Sequence, residues 1–479
     1  MTRSSVLPAL LALTLTAAAE PIRLHPDNPH YFLYRGKPTV LVTSGEHYGA
    51  VLNGAFDFRV YLRELERHGL NLTRTFAGTY REVPGNFNIT RNTLAPEPDH
   101  FVSPWPRSAT PGAADGGGKF DLSRWNPAYF ARLHGFLREA ARRGVVVEFT
   151  LFCPLYEDSM WNVNPMNARN NVNGIGDVPR TEVLTLKHPA LVAVQEAFVR
   201  KVVEELRGFD NLIYEIANEP YFGGVTLEWQ RHIARLIWQQ ETRLGVRHLI
   251  SQNIANGSRR IEQPFEEVSL FNFHYSRPPD SVAMNYHLNR AIGNNETGFD
   301  GQADATYRIQ GWEFLLAGGA LYNNLDYSFA AGGSERGDYA YPDKTPGGGS
   351  ARLRMQLGVL KRFLDGLPLL TMRPDRGWIR GGVPEGASVQ ALAAQGAVYA
   401  AYLHHGRVVK DAQPRYQVDG RTQGATLEVE LPPGRWEGSW LHPATGRTAG
   451  SESFRHAGGA RRISSPEYTE DIALRLIRR

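Results

Sequence analysis

The feature that most constrains the fold is the alternation of short apolar runs with longer segments of helical periodicity over residues 39–364. Short apolar runs bounded by turn residues are typical of buried strands, and strands that alternate with helices form parallel sheets. Eight candidate strands favour a closed (β/α)8 TIM barrel over an open sheet. These strands cover residues 39–43, 71–76, 145–152, 212–217, 248–253, 268–274, 290–295 and 320–325.

Helices and long loops complete this pattern. Two Gly-, Pro- or Asn-rich excursions, residues 83–118 and 156–178, interrupt the alternation. Loops of this length in a compact domain usually carry a binding site or a lid, so we expect the first to form a wall of the ligand site. Helices are predicted at residues 58–68, 127–143, 190–206, 227–244, 303–317 and 351–364.

The pattern changes near Gly382 to short segments of alternating polarity, at residues 397–403, 426–431 and 436–441. Such segments, separated by Gly, Pro and Asp turns, are typical of antiparallel strands. The predicted fold class is therefore α/β, with a TIM barrel at residues 20–380 followed by a small antiparallel β-sandwich domain at residues 381–479.

The first residues have the pattern of a secretory signal peptide at residues 1–19. Arg3 supplies a positive charge, residues 6–16 are apolar, and three alanines precede Glu20. An uncut anchor is the alternative, but the apolar segment is short for a membrane span. We expect a secreted or periplasmic protein. The single cysteine, Cys153, excludes an internal disulfide.

Charge argues against nucleic acid as a partner. The 53 Lys and Arg residues nearly balance the 49 Asp and Glu residues, which leaves a formal charge of +4, and the basic residues are scattered. No apolar run beyond the N-terminus is long enough to span a bilayer, so no membrane partner is predicted. A monomer is expected.

Two acids follow predicted strands and are the candidate catalytic pair. Glu219, in Asn218-Glu219-Pro220, comes directly after the apolar run 212–217, and Glu296 follows the predicted strand 290–295. Barrel enzymes carry their catalytic groups at the carboxyl ends of the strands, so both acids would face one barrel mouth. An isolated Asn-Glu-Pro could instead cap a helix. Glu313 and Asp326 are rivals of Glu296.

A pair of carboxyl groups at one site is what cleavage of a glycosidic bond requires. One acid protonates the leaving oxygen, and the other meets the positive charge that develops on the sugar. The separation of the carboxyl groups distinguishes retaining from inverting enzymes, and a sequence does not measure it.

Several motifs resemble the clan A retaining glycoside hydrolases, the group that contains the cellulase-like family 5 enzymes, over roughly residues 30–370. The C-terminal segment 432–447 is similar to a domain sometimes labelled collagen-binding that follows secreted barrels of this clan. The residues that carry the resemblance are Asn218-Glu219-Pro220 after the fourth strand, His274-Tyr275 at the end of the sixth, Arg74 on the second and Glu296 ending the seventh.

The resemblance implies a secreted hydrolase that cleaves a β-linked glycan or glycoside with retention. It implies that Glu219 is the acid/base and Glu296 the nucleophile. Asn218 would bind the sugar 2-hydroxyl, and Tyr275 and Arg74 would keep the nucleophile ionised. His274 is a candidate substrate-binding residue, although a core histidine and, for Tyr275, a packing aromatic are the plain alternatives.

Further substrate contacts are predicted in loops at the strand ends. Aromatic rings stack on the apolar faces of sugars, which makes Tyr48, Trp161 and Tyr221 candidate walls of the binding site. Glu46 and His47, after the first strand, could bind a sugar hydroxyl or a metal, and a solvated loop is the alternative. Residues 162–173 lack the carboxylates of a strong calcium loop, so neither a metal nor another cofactor is predicted.

Two other functions were weighed against hydrolysis of a glycoside. A barrel that binds carbohydrate without turnover is the main alternative, because the eighth strand lacks the usual Trp and the third ends in Phe152-Cys153-Pro154 without the usual His. A protease or esterase is disfavoured, since neither Gly-x-Ser-x-Gly nor His-Glu-x-x-His occurs.

Overall fold

The computed structural model describes residues 20–479. The predicted signal peptide, residues 1–19, lies outside the described residues. None of the helices in the described part of the chain is long and apolar enough to cross a membrane.

A parallel eight-stranded sheet forms the larger part of the structure. Numbered along the chain from β1 (Leu41–Gly45) to β8 (Leu321–Leu325), its strands have the spatial order β1-β8-β7-β6-β5-β4-β3-β2. Backbone bonds close the remaining gap, because Asn71 N–H donates to Val42 O at 3.2 Å and Phe76 N–H donates to Tyr48 O at 2.9 Å. The TIM barrel is confirmed. Its strands are β1 Leu41–Gly45, β2 Leu72–Phe76, β3 Val146–Phe152, β4 Leu212–Ala217, β5 Leu249–Asn256, β6 Leu270–His274, β7 Ala291–Glu296 and β8 Leu321–Leu325.

The predicted first strand, residues 39–43, begins too early. Thr39 belongs to a separate antiparallel sheet of three short strands, Arg23–Leu24, Phe32–Tyr34 and Lys37–Thr39, and β1 starts at Leu41. The apolar pattern runs through both elements without a break, so periodicity alone does not separate them.

All six predicted helices are present, each within one residue of its predicted ends. Local signals fix these ends: Asp57 Oδ1 accepts from Arg59 N–H at 3.0 Å, and Gly245 takes the left-handed conformation after Leu244. Two helices of five and six residues were missed, since they are too short to show a helical period. The helices are Phe58–Arg67, Pro127–Arg142, Asp158–Asn162, Pro189–Leu206, Leu227–Leu244, Asp280–Asn285, Asp304–Leu316 and Ala351–Asp365, with single 3-10 turns at Asn86–Asn88, Ala168–Asn170, Arg180–Glu182, Tyr286–Leu288 and Leu369–Thr371.

The C-terminal part is a sandwich of two antiparallel sheets. The first two strands, Arg373–Pro374 and Ile379–Gly381, precede Gly382 and are too short to show an alternating pattern. The six-stranded sheet contains, in spatial order, Arg373–Pro374, Ser388–Ala394, Val398–His404, Asp471–Arg478, Gly434–Leu441 and Thr448–His456, and the three-stranded sheet contains Ile379–Gly381, Thr426–Leu431 and Gly459–Ser464. Two-stranded ribbons pair Gly406–Val408 with Tyr416–Val418 and, in the first barrel excursion, Arg107–Pro111 with Gly118–Phe120.

The central strands of the six-stranded sheet, Val398–His404 and Asp471–Arg478, are packed on both faces. One face packs on the smaller sheet around Trp436 and Leu427. On the other face Tyr402 stacks on Trp312 of a barrel helix, with ring centroids 5.2 Å apart. The sandwich therefore covers the outside of the barrel and leaves the mouth at the carboxyl ends of the strands to the long loops.

Candidate active site

The barrel mouth brings the two predicted acids together. Glu219 follows β4, Glu296 ends β7, and both are largely buried. One oxygen of each carboxylate and Nδ1 of His274 all lie within 4.8 Å of one another. The acids therefore share one site, although 296 − 219 = 77 residues separate them in the chain.

Four side chains surround the carboxylate of Glu296. Tyr48 OH donates to Oε2 at 2.9 Å, Tyr275 OH donates to Oε1 at 2.5 Å, and Arg74 Nη1 lies 3.2 Å from Oε2. Nδ1 of His274 lies 3.4 Å from Oε1. Burial alone raises the pKa of Glu296, but His274, Arg74 and Tyr275 outweigh it and hold this pKa well below its ordinary value. The carboxylate is therefore ionised across the physiological range.

Glu219 has a different set of neighbours. Tyr156 OH donates to Oε2 at 2.6 Å, and Nδ1 of His274 lies 3.2 Å from Oε1. The backbone N–H of Glu219 donates to Asn253 Oδ1 at 3.0 Å, and Tyr221 OH lies 3.5 Å from Oε1. No arginine among residues 20–479 contacts this carboxylate.

His274 lies between the two acids at the end of β6. Burial lowers its pKa, but Glu296 and Glu219 outweigh burial and raise this pKa to about 9. Nε2 has no hydrogen-bond partner among the described residues, so the two carboxylates account for the charge. The imidazolium thus offsets part of the repulsion between the acids.

Arg74 connects the site to a polar barrel interior that the sequence analysis missed. Its Nε donates to Glu215 Oε2 at 2.9 Å, and its Nη2 donates to Asn218 Oδ1 at 2.6 Å. On β3, burial and then Glu215 raise the pKa of Glu148 to about 7. The signal was present, because Glu215 and Glu148 stand inside otherwise apolar strand segments, where an acid needs a partner.

Three residues of the site hold left-handed backbone conformations that non-glycine residues seldom adopt. The φ angles are +61° for Tyr48, +34° for Glu219 and +50° for Tyr275. Such strain persists only where the surrounding structure enforces it, and it clusters at functional sites. Here the strained residues are Glu219 itself and the two tyrosines that donate to Glu296.

A cavity of about 450 Å³ opens above the acids. Six of the predicted catalytic or substrate-binding residues line it: His47, Tyr48, Asn218, Glu219, Tyr275 and Glu296. Nε2 of His47 lies 3.5 Å from Glu82 Oε2 and neither ring nitrogen has a hydrogen bond among the described residues. Arg74 and His274 lie behind this wall. The lining residues are His47, Tyr48, Phe76, Tyr80, Glu82, Phe87, Leu94, Cys153, Tyr156, Asn218, Glu219, Phe222, Asn256, Tyr275, Arg277, Glu296 and Phe299.

Comparison with known proteins gives structural matches only. No family model and no curated protein matches the chain. A glycoside hydrolase from Bacteroides vulgatus superposes with a TM-score of 0.64 at 13% identity over 96% of this chain and 82% of that one. A family 5 glycoside hydrolase from the same organism gives 0.60 at 13% identity over 96% and 93%, and a third structure, named only as a glycoside hydrolase, gives 0.60 at 12% over 96% and 97%. The chain shares the fold of these glycoside hydrolases.

Two predicted substrate contacts, Glu46 and Trp161, do not line the cavity. The carboxylate of Glu46 faces the backbone of its own loop, where it accepts from Gly49 N–H at 3.0 Å and Ala50 N–H at 2.9 Å. Trp161 is buried away from the cavity, and its indole N–H donates to Val178 O at 2.9 Å. Both side chains are used to hold loops in place.

Tyr221 lies beside the cavity wall, in an adjoining groove. Its hydroxyl donates to Asn256 Oδ1 at 2.5 Å.

The two rivals of Glu296 do not line the cavity: Glu313 lies 3.4 Å from His404, and Asp326 pairs with Arg354 at 2.6 Å. Position leaves Glu296 as the partner of Glu219.

Glu219, His274 and Glu296 form the group within residues 20–479 whose donor atoms are close enough to bind a metal ion. Both oxygens of Glu296 already accept from tyrosines, and Arg74 adds a positive charge beside them. A cation would have to displace these donors, so the donor set fits an acid pair better than a metal centre.

Proposed function

We propose that this protein is a retaining glycoside hydrolase that cleaves β-linked glycans or glycosides, with Glu219 as acid/base and Glu296 as nucleophile. The observation that carries the proposal is the approach of their carboxylate oxygens to within 4.8 Å over one cavity. Carboxyl groups about 5 to 5.5 Å apart are typical of retaining enzymes, whereas about 6.5 to 9.5 Å leaves room for an attacking water.

The first step forms a glycosyl-enzyme. The ionised Glu296 attacks the anomeric carbon, while Glu219 transfers its proton to the glycosidic oxygen and the bond to the leaving group breaks. Tyr48, Tyr275 and Arg74 hold Glu296 ionised and fix its orientation toward the cavity.

The second step releases the sugar. Glu219, now a carboxylate, takes a proton from a water that attacks the anomeric carbon, and the ester bond to Glu296 breaks. Each step inverts the anomeric centre, so the product keeps the configuration of the substrate. Tyr156 and His274 contact Glu219 and would support its charged form in this step.

Asn218 is the proposed ligand of the sugar 2-hydroxyl. Its Oδ1 accepts from Arg74 at 2.6 Å, and its Nδ2 donates to Tyr156 OH at 2.9 Å, which fixes the amide plane. The other N–H donates to Cys153 Sγ at 3.5 Å, a weak acceptor that a sugar hydroxyl in the cavity would replace. His47, with two unpartnered ring nitrogens in the described structure, is proposed as a second sugar contact.

The remaining proposals concern the whole protein. Residues 1–19 would direct it to the periplasm or the exterior, residues 20–380 would form the catalytic barrel, and residues 381–479 the accessory sandwich. The protein would be a monomer, and its substrate would be an oligosaccharide, a polysaccharide or a glycoconjugate.

The test is a screen for sugar released from a panel of β-glycans and β-glycosides, with Glu219→Gln and Glu296→Gln as matched variants. We expect hydrolysis by the parent protein and its loss in both variants. A protein that binds these sugars but releases none, and binds equally well after either substitution, would be the non-catalytic barrel.

A further inference from the structure

Three phenylalanines at the cavity are unusually exposed. Phe87, Phe222 and Phe299 line the cavity and are 37%, 44% and 38% exposed. They lie in the loops that follow β2, β4 and β7. Exposed apolar side chains that gather at one cavity are typical of a ligand-binding site.

The three rings are divided unequally between the two acids. Phe87 and Phe222 both pack on the ring of Tyr156, with centroids 5.5 Å and 6.1 Å away, and Tyr156 binds Glu219. Phe299 packs on Tyr275, with centroids 5.9 Å apart. Two exposed phenylalanines therefore stand on the side of Glu219 and one on the side of Glu296.

The side of Glu219 is where the leaving group must lie, because the acid protonates the leaving oxygen. Phenyl rings there offer apolar faces and no hydrogen bonds. Asn256, the nearby polar lining residue, already accepts the hydroxyl of Tyr221 at 2.5 Å. Its amide nitrogen is left for a hydroxyl of a ligand, but the accessible lining of the cavity is mostly apolar.

The backbone of Phe87 supports a role in binding. Phe87 and Asn88 have φ angles of +54° and +59°, a conformation that is unfavourable for a bulky side chain. Asn86 holds this turn, since its Oδ1 accepts from Val83 N–H at 2.8 Å. Strain at a residue whose exposed ring lines a cavity suggests that the position serves ligand binding.

We propose that the leaving group of the substrate is apolar and contains an aromatic ring, and that Phe87, Tyr156 and Phe222 bind it. This inference rests on the proposed function, since it uses Glu219 to define the leaving-group side. The substrate class is then an aryl or arylalkyl β-glycoside, and sugar chains are poorer substrates.

The test compares benzyl β-glycosides with disaccharides that carry the same β-glucosyl or β-mannosyl group. Benzyl alcohol is no better a leaving group than a sugar hydroxyl. A higher kcat/KM for the benzyl compound would therefore indicate that the protein binds the aromatic ring. We expect kcat/KM to favour it by about tenfold or more, and Phe222→Ala and Phe87→Ala each to lower this ratio by about tenfold.

Phe299→Ala is the matched control, because it removes an equally exposed ring from the other side. It should leave the ratio of benzyl glycoside to disaccharide unchanged. A preference for disaccharides, or a ratio that is unchanged in Phe87→Ala and Phe222→Ala, would overturn the inference. Hydrolysis itself would still support the proposed function.

Binding to Glu219→Gln separates the two failures. Calorimetry with benzyl β-glucoside and benzyl β-mannoside should show affinity that falls when Phe222 is also replaced by alanine. If the parent protein hydrolyses no member of the panel of β-glycans and β-glycosides, the proposed function fails, and this binding result alone still supports or refutes an aromatic-ring site.

Discussion

The surroundings of Glu296 and Glu219 differ more than their positions do. Both acids are buried at the carboxyl end of the same barrel, and both lie near Nδ1 of His274. Glu296 also contacts Arg74 and two tyrosine hydroxyls, whereas Glu219 has the hydroxyl of Tyr156. Two identical side chains thus have different hydrogen-bond donors, and an arginine lies beside Glu296.

The largest effect should come from removing Glu296, the acid with more hydrogen-bond donors. Glu296→Ala should lower kcat by at least about 10⁴-fold, because the covalent step is lost. Azide or formate should restore turnover and give a product of inverted configuration. NMR analysis of the product measures both the restored turnover and the configuration of the product.

Glu313→Ala is the control for this rescue, since Glu313 is a buried acid outside the cavity, next to His404. Azide should have no effect on its turnover. Rescue of Glu313→Ala or Asp326→Ala in place of Glu296→Ala would mean that the nucleophile has been misidentified.

The second effect separates the acid from the nucleophile. Glu219→Gln should lower kcat/KM by about 10²- to 10⁴-fold on glycosides with alcohol leaving groups, because no proton reaches the departing oxygen. A dinitrophenyl glycoside needs no proton and should lose much less. Equal losses on both substrates would contradict the assigned role.

The tyrosine donors should give an intermediate effect. Tyr275→Phe removes a hydrogen bond to an ionised carboxylate, so we expect kcat to fall by about tenfold to a hundredfold. The loss also raises the pKa of Glu296, so the difference from the parent should widen at low pH. Tyr327→Phe is the control, because that buried hydroxyl has no hydrogen-bond partner among the described residues.

The smallest effect concerns stability. The pKa of His274 is raised to about 9, from about 6.5 in an unfolded chain. Its stabilising contribution is therefore complete below pH ~6.5 and lost as pH rises through about 9. Urea titrations of parent and His274→Gln should differ most at pH 6 and converge by about pH 10. A gap that grows with pH would contradict a charged His274.

The comparison also shows what the sequence could predict. Glu219 and Glu296 could be placed because each follows a recognisable strand, and parallel strands bring their carboxyl ends to one mouth. The long helices were equally accessible, since their periodicity and caps are local features.

Loop-borne contacts were harder to predict. Glu46 and Trp161 have residue types that suit sugar binding, but side-chain direction in a loop depends on tertiary contacts that no local pattern records. The exposed Phe87 and Phe222 were not singled out for the same reason. The hydrogen bond from Tyr156 to Glu219 was equally hard to predict, because it depends on the fold of the second excursion.

The central claim is tested most directly by trapping the glycosyl-enzyme. A 2-deoxy-2-fluoro-β-glycosyl fluoride of a sugar that the enzyme releases should inactivate it, and mass spectrometry of the digested protein should find the sugar on Glu296. A sugar attached to another carboxylate would contradict the account, as would turnover that yields the inverted anomer without an adduct.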